Sequence, residues 1–249
     1  YNLPVISAVL LLFSGITHAG VVGSVHDLTA ATGTGTQTTA ATTEVCVFCH
    51  TPHGSDTSAP APLWNKILPA AGGFTLYDDT FSSSIDGTVD LAGSGISLAC
   101  LSCHDGATAM DTVLNAPGSG NYNAAGIAIS GGTMTAMTGE PIPNLSTDLT
   151  NDHPVGIQYA GGGLTWGGVE TVAANANDKA FVEPTFDGSR MWVGAAVDGS
   201  LPLYRDTTNN EPLVECASCH DPHKTDNGTF LRISNAASAV CTSCHVKYC

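Results

Sequence analysis

A chain of 249 residues with 22 acidic and 7 basic side chains carries a net charge of −15, and so offers no positive footprint for nucleic acid or an anionic membrane surface. Charged residues are only 12% and aromatics 6%, with 28 Gly and 13 Pro among long Ser, Thr, Ala and Asn stretches, a composition that argues against a dense aliphatic core of packed helices. The acidity suits cationic or metal-ion partners, and equally a secreted protein that needs only to stay soluble.

In chain order, the first predicted element is an uncharged apolar run from Leu3 to Phe13, followed by Ser14-Gly15-Ile16-Thr17-His18-Ala19-Gly20. It is expected to be a secretory signal over residues 1–19, cut after Ala19, with its basic region upstream of Tyr1. The run is too short to span a bilayer, and no later segment is long and apolar enough to do so. The expected product is a single domain over residues 20–249, secreted to the cell surface or medium, with the periplasm as the alternative. Residues 20–45 open with Val21-Val22-Gly23-Ser24-Val25-His26-Asp27-Leu28 and are expected to form an extended arm or loop. Pro60 and Pro62 keep the chain irregular through Trp64, and Leu91 to Leu101 predicts a short helix. Between 105 and 215, Gly131-Gly132, Gly161-Gly162-Gly163 and Gly167-Gly168 alternate with β-like runs such as Gly126-Ile127-Ala128-Ile129 and Met191-Trp192-Val193, which predicts loops with a few hairpins. Ala236 to Cys244 predicts a last short helix. The expected fold is mostly irregular coil with few short helices and small β-hairpins.

Across this framework one pattern occurs four times: Cys46-Val47-Phe48-Cys49-His50, Cys100-Leu101-Ser102-Cys103-His104, Cys216-Ala217-Ser218-Cys219-His220 and Cys241-Thr242-Ser243-Cys244-His245. Cys-x-x-Cys-His is the attachment signal of a c-type haem. Two thiols at this spacing form thioethers to the two vinyl groups of one porphyrin, and the next residue supplies an axial imidazole. Cys-x-x-Cys pairs also build zinc sites and redox dithiols, but neither explains a histidine after every pair. The motifs therefore predict four haem c groups held by Cys46, Cys49, Cys100, Cys103, Cys216, Cys219, Cys241 and Cys244. Each haem brings a flat apolar surface that side chains bury in place of a conventional core, so the fold is expected to be organised around four stacked haems and the haem-free chain to be largely unfolded. Cys249, the odd ninth cysteine, is expected to be a free thiol at a frayed end.

Four of the nine histidines, His50, His104, His220 and His245, are axial ligands by motif, and His18 lies in the leader. His26, His53, His153 and His223 remain, matching four irons that each need a sixth ligand. His53 and His223 recur in one context, Cys-His-Thr-Pro-His and Cys-His-Asp-Pro-His, where a second imidazole three residues on cannot readily reach the far face of the same iron but can reach a neighbouring haem. Met110, Met134, Met137 and Met191 are the rival sixth ligands, and would raise the potential of their haem. Other features carry less. The glycines at 161–163 lack the strand and helix of a nucleotide site. Asp78-Asp79, Asp86 and Asp90 fit no calcium-loop template. Asn144-Leu145-Ser146 and Asn227-Gly228-Thr229 match only the glycosylation pattern.

Taken together, the Val25-His26-Asp27-Leu28 segment, Cys46 to His53, Asp152-His153-Pro154-Val155-Gly156 and Glu215 to His223 resemble the exported multihaem cytochromes of metal-reducing microbes, and most closely the tetrahaem filament-forming cytochromes of the OmcE type. The resemblance implies electron transfer rather than enzyme chemistry, haems stacked in a line, and a head-to-tail homopolymer. It also implies that one subunit lends an axial histidine to its neighbour. His53 is the expected bridge and His26 the runner-up, with the His220 haem as recipient and His223 serving the His50 haem within one chain. Redox proteins or extracellular acceptors would be the other partners. A monomeric periplasmic shuttle or a haem-containing reductase is the alternative.

Overall fold

The computed structural model describes residues 20–118, 121–129, 134–139, 143–168, 180–195 and 199–246. The expected signal segment with His18, the Gly131-Gly132 pair and Cys249 lie outside the described residues. As the composition predicts, most of the chain is irregular, with few short helices and small antiparallel sheets.

Three helices carry the second, third and fourth Cys-x-x-Cys-His motifs: α1 (Ile96–His104), α2 (Cys216–Cys219) and α3 (Ala239–Cys244). The first motif sits on a 3-10 turn, Val45–Phe48. The sequence places the helix of the second motif at Leu91 to Leu101, but it begins later. Asp90 Oδ1 accepts the Ala92 amide at 2.8 Å, and Gly95 takes the left-handed conformation (φ 71°), so residues 91–94 form turns before the helix starts. Glycine is the residue that adopts this conformation without a Cβ penalty.

Among the described residues eight strands form three antiparallel sheets. Strands β1 (Thr112–Asn115) and β2 (Tyr122–Ala128) pair antiparallel with an irregular register between Val113 and Asn115. Strands β3 (Ile157–Gln158), β7 (Tyr204–Arg205) and β8 (Pro212–Val214) form a sheet of order β3-β8-β7. Strands β4 (Thr185–Phe186), β5 (Met191–Ala195) and β6 (Gly199–Pro202) form the third, which includes the expected Met191 to Val193 run.

There is aliphatic burial, but it is divided into three small clusters, each set behind an attachment site. Val47, Phe48, Met110, Val113 and Ile129 lie under the first motif, with Cys49 packed against them. Leu91, Leu98, Leu101 and Leu149 surround α1. Tyr159, Met191, Val193, Leu201 and Leu203 lie under the last two motifs, touching Cys219 and Cys244. Residues 20–45, expected as an extended arm or loop, form a folded loop. The carboxylate of Asp27, fully buried, accepts hydrogen bonds from Gly23 N (3.0 Å), Thr29 N (3.0 Å) and Thr29 Oγ1 (2.7 Å). Thr29 then bridges to Thr39, closing the segment into a loop that fixes His26.

Candidate functional site

In every motif the spacing places the first cysteine, the second and the histidine at i, i+3 and i+4 of one helical turn, hence on one face. The turn is closed in three motifs by the histidine amide donating to the first cysteine's carbonyl: His50 to Cys46 (2.8 Å), His220 to Cys216 (3.0 Å) and His245 to Cys241 (2.9 Å). The second motif makes its turn inside α1. In the other three the histidine then forms an isolated β-bridge, His50 with Trp64, His220 with Leu231 and His245 with Phe181.

These second segments also set the imidazoles. His50 Nδ1 lies 2.7 Å from Pro62 O, His104 Nδ1 2.7 Å from Pro143 O, and His220 Nδ1 2.8 Å from Thr229 O. A carbonyl only accepts, so Nδ1 carries the proton and the Nε2 lone pair is left for a metal. His153 makes the same contact with Pro154 O at 2.9 Å. His223 is held differently. Its Nδ1 lies 3.4 Å from Asp221 Oδ1, Asp221 pairs with Arg232 at 3.2 Å, and the His223 carbonyl accepts the Gly20 amide at 3.0 Å. His26 stacks on Phe230 with ring centroids 4.2 Å apart, and its Nδ1 is buried with no hydrogen-bond partner. Burial, with His104, His223 and His220 nearby, pushes its pKa down to about 4, so at neutral pH the ring is uncharged, as a metal ligand must be.

Six of the eight candidate histidines face one another in pairs. The ring centroids of His50 and His223 are 6.1 Å apart, those of His26 and His104 6.1 Å, and those of His153 and His245 6.5 Å. Two metal–nitrogen bonds of about 2 Å plus the distance from Nε2 to each ring centre give roughly 6 Å. Each pair is therefore spaced as a shared metal atom would require, and each joins one motif histidine to one of the other four. His53 and His220 are the two left over. Both are exposed, and no aromatic ring faces either among the described residues.

The cysteines arrange the motifs in sequence order. Cys49 and Cys103 lie close enough to interact electrostatically, Cys100 and Cys216 are in hydrogen-bonding contact, and Cys219 lies near Cys241 and Cys244. Glu215, 1% exposed, ties the middle two together: its carboxylate accepts from the hydroxyls of Ser94 and Ser97, and Ser97 Oγ accepts the Cys216 amide at 3.0 Å. Burial pushes the Cys49 and Cys244 thiols up to about 12, as it does for thiols in apolar surroundings. Among the described residues no three His, Cys, Asp or Glu side chains converge as a structural zinc site requires.

The rival methionines lie elsewhere. Met110, Met134 and Met191 are buried in the aliphatic clusters, where Met191 Sδ accepts the Gly167 amide at 3.4 Å, and Met137 packs on the first cluster. Asp78 Oδ1 is engaged by the Thr80 amide at 2.9 Å. Residues the sequence did not single out are those bracing the imidazoles: the carbonyls of Pro62, Pro143 and Thr229, and the rings of Trp64, Phe181 and Phe230 against His50, His245 and His26. A backbone carbonyl leaves no residue-type signal, and lone aromatics do not announce a neighbour.

A family model described as the doubled CXXCH motif matches residues 211–248, the span of the third and fourth motifs. No curated protein matches the chain. With two more copies of the motif upstream, the motifs indicate covalently bound haem c and an electron-transfer cytochrome. No described helix is long and apolar enough to cross a membrane.

Proposed function

We propose that this is an exported tetrahaem electron carrier with bis-histidine haems that polymerises head to tail outside the cell. Haem c supplies a one-electron iron couple. The protein's part is to anchor, align and saturate. The eight motif cysteines fix four porphyrins, and the contacts from the first motif to the fourth set them in a line. His50 with His223, His104 with His26, and His245 with His153 would hold three of the irons. Those three would then have no coordination position for a substrate, which favours relay over enzyme chemistry.

The observation that carries the polymer is what the pairing leaves over: among the described residues one motif histidine, His220, lacks a facing imidazole, and one other histidine, His53, has no motif histidine opposite. Both are exposed. His26 faces His104 in its own chain, which favours His53 as the residue lent to a neighbour. A contact in which His53 of one copy meets His220 of the next uses two different patches, so it does not close and propagates as a filament. The expected signal segment favours a secreted or cell-surface location.

Intact mass under denaturing conditions and electron microscopy of the purified protein test this together. The expected result is the mature polypeptide plus four haems, with filaments in the wild type and short or no filaments for His53→Ala at unchanged haem mass. Three or fewer haems overturns the count. A wild type that stays monodisperse at high concentration overturns the polymer and leaves the periplasmic shuttle.

A further inference from the structure

The first motif is backed by a charge that haem attachment does not require. Residues 63–66 run beside it: the Asn65 amide donates to Cys49 O at 2.9 Å, and Asn65 Nδ2 donates to Val47 O at 2.6 Å. This carries the next residue, Lys66, into the interior, where it is 1% exposed. Its ammonium donates to Met110 O at 2.9 Å and Thr112 O at 2.8 Å. No carboxylate lies within ion-pair distance of it among the described residues. Asp111, which lies between those two carbonyls in sequence and is itself buried, turns Oδ2 to the Met134 amide at 3.1 Å instead. Lys66 is the only buried cation among the described residues of a chain whose net charge is −15.

Burying an ammonium without an ion-pair partner is costly, and an apolar side chain of similar size would fill the same space at less cost. A purely structural role thus explains the lysine poorly. Its position explains more. The ammonium acts electrostatically on the Cys49 thiol, opposing the upward push of burial, so its field reaches the site where the first porphyrin is anchored. Reduction of an iron centre removes one positive charge. A fixed cation in a low-dielectric interior therefore destabilises the oxidised form more than the reduced one.

We infer that Lys66 is a positioning charge that raises the redox potential of the haem attached at Cys46 and Cys49. The inference rests on haem attachment at that motif, which intact mass checks separately. The site is recognisable because His50 and His223 are the one in-chain pair with near-parallel rings, 19° apart against 82° and 62°. This geometry gives a paramagnetic signal distinct from that of crossed rings.

The test is a redox titration followed through that signal in the holoprotein and in Lys66→Met, Lys66→Gln and Asp111→Asn. Glutamine keeps donors for the carbonyls of Met110 and Thr112 while removing the charge, and asparagine can still accept the Met134 amide. Each lysine variant is expected to lower the reduced-to-oxidised ratio of this haem at fixed potential tenfold, a negative shift of ~59 mV for a one-electron couple. Asp111→Asn, which removes the buried negative charge, is expected to shift the same haem the opposite way, and the other haems are expected to hold their potentials. Shifts of opposite sign distinguish charge from loosened packing. An unchanged potential in Lys66→Gln at full haem content overturns the inference, as do shifts of the same sign in the Lys66 and Asp111 variants. If the lysine variants do not fold, an unshifted Asp111→Asn overturns it alone.

Discussion

His50 and His223 stand face to face with ring centroids 6.1 Å apart and planes 19° from parallel, although they come from opposite ends of the chain. His50 is set by Pro62 O on its Nδ1, and His223 by Asp221, itself paired with Arg232. Two independently braced segments thus bring the two imidazoles to this separation. The Cys-His-x-Pro-His offset that sets His223 opposite the first motif's His50 recurs at His53.

The pairing predicts the magnetic spectrum. Near-parallel imidazole planes split the iron d orbitals strongly and give a rhombic low-spin signal, whereas crossed planes leave them nearly degenerate and give a highly anisotropic one. Low-temperature paramagnetic resonance of the oxidised protein should show one in-chain haem of the first kind (19°) and two of the second (82° and 62°). His223→Ala should remove the rhombic low-spin signal and leave the two anisotropic ones. Loss of an anisotropic signal instead would mean that His223 serves another motif.

The small clusters behind the motifs predict where the holoprotein is most easily weakened. Leu101, fully buried between the two cysteines of the second motif, packs with Leu91, Leu98 and Leu149. Leu101→Ala should cost about 2–5 kcal/mol, the range for emptying a buried leucine site. It is read as a lower midpoint in chemical denaturation with haem content unchanged. A change below about 0.5 kcal/mol would place this cluster outside the cooperative unit.

Acid should act first on the segment that carries His26. Burial works to raise the pKa of Asp27, but hydrogen bonds from Gly23, Thr32 and Thr29 outweigh it and hold the carboxyl at about 2, below its ordinary 3.8. A depressed carboxyl adds stability that is full above the unfolded value and is lost as pH falls through the folded one. Between about pH 4 and pH 2 the folded protein should therefore lose this contribution, and Asp27→Asn should flatten that part of the stability profile. A profile identical to that of the wild type would show that the knot around Asp27 does not hold the segment.

Much of this arrangement is legible in the sequence because covalent chemistry fixes it. Cys-x-x-Cys-His leaves one geometry open, a single helical turn, and all four motifs take it. The coil-rich fold follows from composition, and Met191 to Val193 is a strand because its β-branched and aromatic pattern has a partner in β6. What sequence could not reach is set by tertiary contact. The start of α1 is decided by Gly95 rather than by the apolar run from Leu91. Of the two forms open to residues 20–45, arm or loop, the loop is set because one carboxylate, Asp27, gathers the surrounding amides and hydroxyls. Which second histidine faces which motif depends on where the intervening loops return, and Lys66 reads in sequence as an ordinary surface charge.

The central claim is that three irons find both axial ligands within one chain while the fourth completes its coordination from the next. Carbon monoxide uptake by the reduced protein, compared between dilute monomer and assembled material, tests it most directly. The account predicts one carbon monoxide per chain in the monomer, at the His220 haem, and none after assembly. A monomer that binds none would place all sixth ligands within one chain, and uptake unchanged by assembly would show that no histidine crosses between subunits.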